Sequence, residues 1–454
     1  METTPGEIGR SGDGGALSRS YTIRSNFLAA RYIRAPTETG FCTTSLPRPA
    51  TTPKPSTLRL QMRFTLLTFG AIALASCTDS KAPTSPPRFS ADASLPTEPS
   101  APRQRVDPRP IAEQIESLIR PRFRPVTLPA DGYSLSTDAV HPDISCPSAS
   151  PWNGTRCWLM YTPYKNSDPS YENPAFLAAG SDTAWATPPQ VLNPVIGYPG
   201  QGQYNSDPDH AFDPATGRLI QMYRLVADSM NRIMLMSTAN ARQWTTPVVA
   251  FKERNHDAVS PSLLIDNDRR AKVWYVRTGT EGCLARTSTV LMRTSHPGNG
   301  VGFEQADWSA PTPVDLTVPG AVVWHLDVID VPGGYLALVA AFPRNSMCSA
   351  SDLWLATSSD GIRWRTFAVP VLWRGMSMVQ NKSLTTWYRG TMRYDAESDM
   401  LHLWPSAFAG ARWGVYHLSA RLGDLLAVLG SAQAADWRAL ALKQPKARLV
   451  PNMP

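Results

Sequence analysis

At 454 residues the chain has room for one large domain or two to three small ones. Its 42 prolines argue against long helices and for many short strands and turns. Most of the net charge of +7 lies early: nine Lys/Arg face four Asp/Glu before Cys77, and 35 face 33 from there on. No basic block stands out in that remainder, which excludes nucleic acid as the expected partner.

Residues 1–61 are polar, rich in Pro, Thr, Ser and Arg, and lack apolar periodicity. They are expected to be a mis-assigned or disordered extension, with translation starting at Met62. "MRFTLLTFGAIALASC" (62–77) has the parts of an export signal: basic Arg63, then an apolar core too short to span a bilayer permanently. Its "LASC" resembles the bacterial lipobox, which implies cleavage after residue 76 and lipidation of Cys77. The expected location is the bacterial cell envelope, with the membrane contacted through the lipid anchor alone. Residues 77–108, rich in Pro and Ser, read as a disordered tether. "IAEQIESLIR" (111–120) reads as one amphipathic helix in a lead-in over 109–130.

From about residue 131 the chain repeats itself, and the propeller with its C-terminal extension is expected over 131–454. Each of five units opens on a polar-to-apolar strand: "DAVHPDIS" (138–145), "DPDHAFDP" (207–214), "DAVSPSLLID" (257–266), "WHLDVIDV" (324–331) and "YRGTMRYD" (388–395). Two apolar strands follow in each, and four units close on a tryptophan: Trp185, Trp244, Trp308 and Trp364. Four short strands per unit predict an all-β, five-bladed propeller of antiparallel blades. The tryptophans are expected to pack between blades. The fifth unit departs: "LGDLLAVLG" (422–430) looks helical, and whether Trp437 closes the blade is left open.

Setting aside Cys42 and Cys77, four cysteines remain, an even number that suits an oxidising compartment and allows three pairings. Cys146 and Cys157 flank the first hairpin of blade one. Cys283 and Cys348 occupy matching loops in adjacent blades. The expected pairs are therefore 146–157 and 283–348.

"DAVSPSLLIDNDRRAKVWYV" resembles the third-blade hairpin of glycoside hydrolase family 43, and "DPDHAFDPATGRLIQMYR" is similar to that family's second-blade hairpin. "SSDGIRW" (358–364) resembles a turn common in such propellers and the sialidase Asp-box. The resemblance covers roughly residues 131–420. It implies a base Asp in blade one, a pKa-tuning Asp in blade two and an acid Glu in a later blade. Asp209 matches the second of these. His141-Pro142 stands where the family has Asp-Pro, with Asp143 two residues on. Where the acid Glu belongs, the chain has "VVWHLDV", with His325 and Asp327.

First strands line a propeller's axis. His141, His210, His256 and His325 fall there, with Asp138, Asp143, Asp207, Asp209, Asp257 and Asp327 beside them. Of these, Asp143, Asp209, Asp257 and Asp327 are the candidate catalytic carboxyls, since glycoside hydrolysis uses a pair of them. Period-2 alternation is expected to keep His141 and Asp143 on one face. The four histidines, Tyr388, Arg389, Arg224 and Arg277 are the candidate substrate contacts. Three converging arginines would suit a carboxylated sugar; separate surface ion pairs are the bland alternative. The expected function is a monomeric, carbohydrate-active propeller, a glycoside hydrolase using axial carboxylates. The rival is a non-catalytic glycan- or protein-binding surface lipoprotein that has lost the acid. No cofactor and no metal are expected, with a central divalent cation such as calcium as the alternative.

Overall fold

The computed structural model describes residues 110–129, 138–147, 151–179, 181–254, 256–298, 301–376 and 384–432. The signal segment, Cys77, the tether and Trp437 lie outside them. The described strands form five four-stranded antiparallel sheets. Blade one is β2–β5, from Ala139 to Ala186; blade two is β6–β9, Tyr204 to Arg254; blade three is β10–β13, Val259 to Val314; blade four is β14–β17, Ala321 to Thr366. Blade five is β18 (Leu384–Asp395), β19 (Met400–Ala409) and β20 (Arg412–Arg421), completed by β1 (Arg124–Pro125). The inner strands β2, β6, β10, β14 and β18 each touch their two neighbours, which closes the ring.

The fourth strand of blade five comes from the lead-in and not from the C-terminal side. Arg124 pairs with His417 and Pro125 with Tyr416. So the lead-in is part of the propeller, whose first strand precedes residue 131. Helix α1 (Ile111–Ile119) buries Ile115 and Ile119 against blades four and five, and α2 (Leu422–Ser431) buries Leu422, Leu425 and Leu429 in the same core.

The apolar core is a set of seams between blades. Trp244 packs against Trp158 and Phe176 across blades one and two, Trp308 beside Phe251 and Tyr275 across two and three, and Trp364 beside Trp274 and Val339 across three and four. Trp185 meets Trp404 and Val415 across one and five. The tryptophans thus have the packing role expected of them. In the "SSDGIRW" turn, Asp360 accepts from the amides of Ile362 and Arg363, both at 2.8 Å. These bonds hold its carboxyl well below the usual range.

Every inner strand carries a register shift near its midpoint, between Val140 and Asp143, Ser206 and Asp209, Val259 and Ser262, Val323 and His325, and Trp387 and Gly390. In the first three the shift falls on a repeated triplet: His-Pro-Asp (141–143), Asp-Pro-Asp (207–209) and Ser-Pro-Ser (260–262). The proline has no N–H for the ladder, and the residue before it takes a left-handed φ of 52°, 50° and 54°. Both expected disulfides are formed, with Cα separations of 4.2 Å for Cys146–Cys157 and 4.9 Å for Cys283–Cys348.

Candidate functional site

The bulges split the axial residues into two layers. A leading layer holds His141, Asp207, Ser260, His325 and Tyr388. A trailing layer holds Asp143, Asp209, Ser262, Asp327 and Thr391. The expectation that His141 and Asp143 share a face fails here, because one extra residue on the inner strand breaks the period-2 alternation.

The trailing layer ties the ring together. Around the axis, each layer residue accepts from an amide of the next blade. Asp143 takes the His210 N–H at 2.7 Å, Asp209 that of Leu263 at 2.8 Å, and Ser262 that of Val328 at 2.9 Å. Asp327 takes that of Met392 at 2.9 Å, and Thr391 that of Ile144 at 3.3 Å. The carboxylates of Asp143, Asp209 and Asp327 converge, with oxygens within 4.8 Å of one another. Arg389 reaches Asp209 at 2.8 Å and His210 meets Asp143 at 2.5 Å. Burial, reinforced by the Asp143 charge, raises the Asp209 carboxyl well above the usual range and that of Asp327 to about 7. A cavity of about 570 Å³ opens beyond this layer toward the ends of the inner strands.

The leading layer is built differently. His141 Nε2 and His325 Nδ1 both face Asp207 Oδ1, at 3.3 and 3.5 Å. None of these three buried atoms has a hydrogen-bond partner. Their surroundings fix them in place. Asp207 Oδ2 is held by Arg224 at 2.9 Å and by the Ser260 amide at 3.2 Å. His141 Nδ1 lies 3.0 Å from the Thr162 hydroxyl, which itself donates to the Val140 carbonyl at 3.2 Å. Tyr388 packs on His325 with ring centroids 4.4 Å apart and accepts from Trp324 Nε1 at 3.1 Å. Burial lowers both imidazoles, His141 to about 3, so they stay neutral. Burial pushes the Asp207 carboxyl up, but the charges facing it, Arg224 first and Arg389 with it, outweigh burial and hold it well below the usual range.

Glu172 completes this chamber and was not among the expected residues. It follows a 3-10 turn (Pro169–Tyr171) ahead of the third strand of blade one, where no first-strand search looks. Its side chain is fully buried, and burial raises its carboxyl to about 8 against the pull of Ser206 and Arg224.

Three expected site residues, Asp257, Arg277 and His256, are corrected. Asp257 belongs to neither layer: it sits in the turn before β10, accepts the Gly279 amide at 3.1 Å and faces Arg277 at 3.9 Å. Ser260 occupies the blade-three position instead, since the bulge there begins three residues later. Arg277 does not converge with Arg224 and Arg389; it is 39% exposed and pairs with Glu253 at 3.4 Å. His256 also lies in the turn before β10, beside Gly282. His210 joins the trailing layer, opposite Asp143.

No family model matches the chain. It is similar to the A type blood N-acetyl-α-D-galactosamine deacetylase of Flavonifractor plautii, 25% identical over 284 residues, which cover 52% of this chain and 35% of that protein. The chain thus spans about a third of the length of the curated relative it matches. Among solved structures, an N-acetylgalactosamine deacetylase from F. plautii in complex with blood group B trisaccharide superposes with a TM-score of 0.58 at 20% identity, over 68% of this chain and 97% of that one. A thermostable family-43 glycoside hydrolase superposes at 0.44 and 14% identity, over 65% and 91%. The first of these likenesses bears out the five-bladed propeller fold.

Proposed function

We propose that the chain is a carbohydrate-directed hydrolase whose leading layer removes an acetyl group from an N-acetylated sugar. One observation carries this reading: three buried atoms without a hydrogen-bond partner, His141 Nε2, Asp207 Oδ1 and His325 Nδ1, face one another, with Arg389 Nη1 3.9 Å from Asp207 Oδ1. Their 3.3 and 3.5 Å separations match the edge of a tetrahedron with bonds of about 2.0–2.1 Å, the length of zinc–nitrogen and zinc–oxygen bonds. The donor set is two neutral imidazoles and one carboxylate; Thr162 and Arg224 bond His141 and Asp207 from behind, and Tyr388 packs on the His325 ring, whose Nε2 has no hydrogen-bond partner. These residues would hold a divalent cation such as zinc. When bound, such an ion polarises a carbonyl oxygen and acidifies water. Glu172 is the candidate proton carrier, with a carboxyl that exchanges its proton near neutral pH. Arg224 holds Asp207 ionised, and Tyr388 fixes the face of His325. The similarity to the F. plautii deacetylase supports the same reading.

A second reading is favoured by the trailing layer. Asp143, Asp209 and Asp327 border a cavity large enough for a sugar, and two of the three carboxyls hold protons more tightly than usual. That is the equipment of a glycoside hydrolase. The two readings separate on N-acetylgalactosamine-terminated oligosaccharides. Deacetylation releases acetate, and Asp207→Asn abolishes it. Glycoside cleavage releases a free sugar and fails in Asp209→Asn. Acetate release unchanged in Asp207→Asn would overturn the first reading.

The proposal includes the address: export through residues 62–76 and anchoring at Cys77. The two disulfides support an oxidising compartment. Cys77→Ala is expected to move the protein from the membrane to the soluble fraction. Wild-type protein that is soluble and unlipidated in its own host would sink this part.

A further inference from the structure

A third cluster lies away from the axis, at the seam where blade five meets blade one. Asp182 sits in the turn between the last two strands of blade one. His402 is on β19, and His417 is on β20 opposite Arg124 of β1. His402 Nδ1 lies 3.1 Å from His417 Nε2 and 3.6 Å from Asp182 Oδ2. All three ligand atoms fall within 4.8 Å of one another. Trp404 locks the group: its ring stacks on His402 and abuts His417, and its Nε1 donates to the Asp182 carbonyl at 2.8 Å.

We infer that Asp182, His402 and His417 form a second transition-metal site, of the zinc class, that clamps blade five to blade one. The two separations measured from His402 bracket the tetrahedral edge that bonds of about 2.0–2.1 Å require. The donors are the two imidazoles and one carboxylate that suit zinc, whereas calcium and magnesium take oxygens. The Asp182 side chain is 44% exposed, which leaves a solvent-facing position for a water as fourth ligand. Arg393, 3.7 Å from the other Asp182 oxygen, pairs with that carboxylate and leaves Oδ2 free to ligate.

The site joins the turn that follows the third strand of blade one to β19 and β20 of blade five, of which β20 pairs with β1. Its effect is therefore on closure of the ring, away from the axial layers. The test is zinc content and thermal unfolding of the full chain with zinc chloride, calcium chloride or EDTA, for wild type, His402→Ala and Asp182→Asn. Wild type is expected to bind one zinc more than either variant. It should also gain about 5 °C in Tm from zinc beyond what the variants gain, with no such gain from calcium. The exposed Asp182→Asn keeps the test decisive if His402→Ala fails to fold. Zinc content and Tm gain equal in wild type and the variants would overturn the inference, and they would do so whatever the axial layers bind.

Discussion

Glu172 is a carboxylic acid buried among Tyr164, Tyr204 and Tyr388, with its proton held to about pH 8. Its folded pKa lies above the unfolded one, so its ionisation costs the folded state increasingly as pH rises from about 4.5 to 8. Glu172→Gln removes that cost. The variant is expected to melt higher than wild type at pH 8 and equally at pH 4, and to lose acetate-releasing turnover by orders of magnitude. A lower Tm at pH 8 would show that the carboxylate is paired and not stranded. Asp207→Asn behaves in the opposite way. It leaves the buried Arg224 without its counter-charge and is expected to cost on the order of 3–5 kcal/mol in unfolding free energy, alongside the loss of turnover. A drop below about 1 kcal/mol would mean that Arg224 finds another partner. Of these two residues only Asp207 stood on a strand that the sequence marks as axial. Glu172 precedes an outer strand, and only the folded chain brings it to the axis.

Elements were legible wherever apolar alternation was long. All five inner strands, the two that follow each of them, both helices and the seam tryptophans lie where the residue pattern puts them. Two things were hidden. The first was β1, two residues with no alternation to read, whose only signal is its position before the ring. The second was the bulge, which splits the axial residues into layers and undoes any face assignment by counting in twos. The repeated His-Pro-Asp, Asp-Pro-Asp and Ser-Pro-Ser triplets carried that information, because a proline inside an inner strand demands an irregular ladder. At this scale the Asp-box-like turn offers a test. Gly361 has a φ of +77°, and a Cβ there would meet the Trp274 ring at 2.8 Å. Gly361→Ala is expected to cost about 1–3 kcal/mol by straining the turn and the seam between blades three and four. Turnover per folded molecule should stay unchanged. Full stability in the variant would mean that Trp274 yields without loss of packing.

Across the molecule, apart from Asp207 with its lowered carboxyl, two opposed sets of buried ionisable groups stand out. His141, His256, His325, His402 and His417 all have imidazoles lowered by burial. Their folded pKa values lie below the unfolded value of about 6.5, so their contribution is complete above that pH and is lost as pH falls below it. Glu172, Asp209 and Asp327 have raised carboxyls, so their contribution is complete below about pH 4 and is lost as pH rises, for Asp327 toward about 7 and for Glu172 toward about 8. Above about pH 6.5 only the carboxyls still titrate, and stability should fall with rising pH. Below it five imidazoles oppose three carboxyls, and stability should fall with falling pH. The expected curve of Tm against pH, taken in EDTA so that no metal holds the imidazoles, is a peak near pH 6.5. Glu172→Gln should flatten its alkaline side and leave its acid side in place. A Tm that climbs steadily from pH 5 to 8.5 would show that these carboxyls are ionised in the folded chain, and with it the layered axial network would need a different charge assignment.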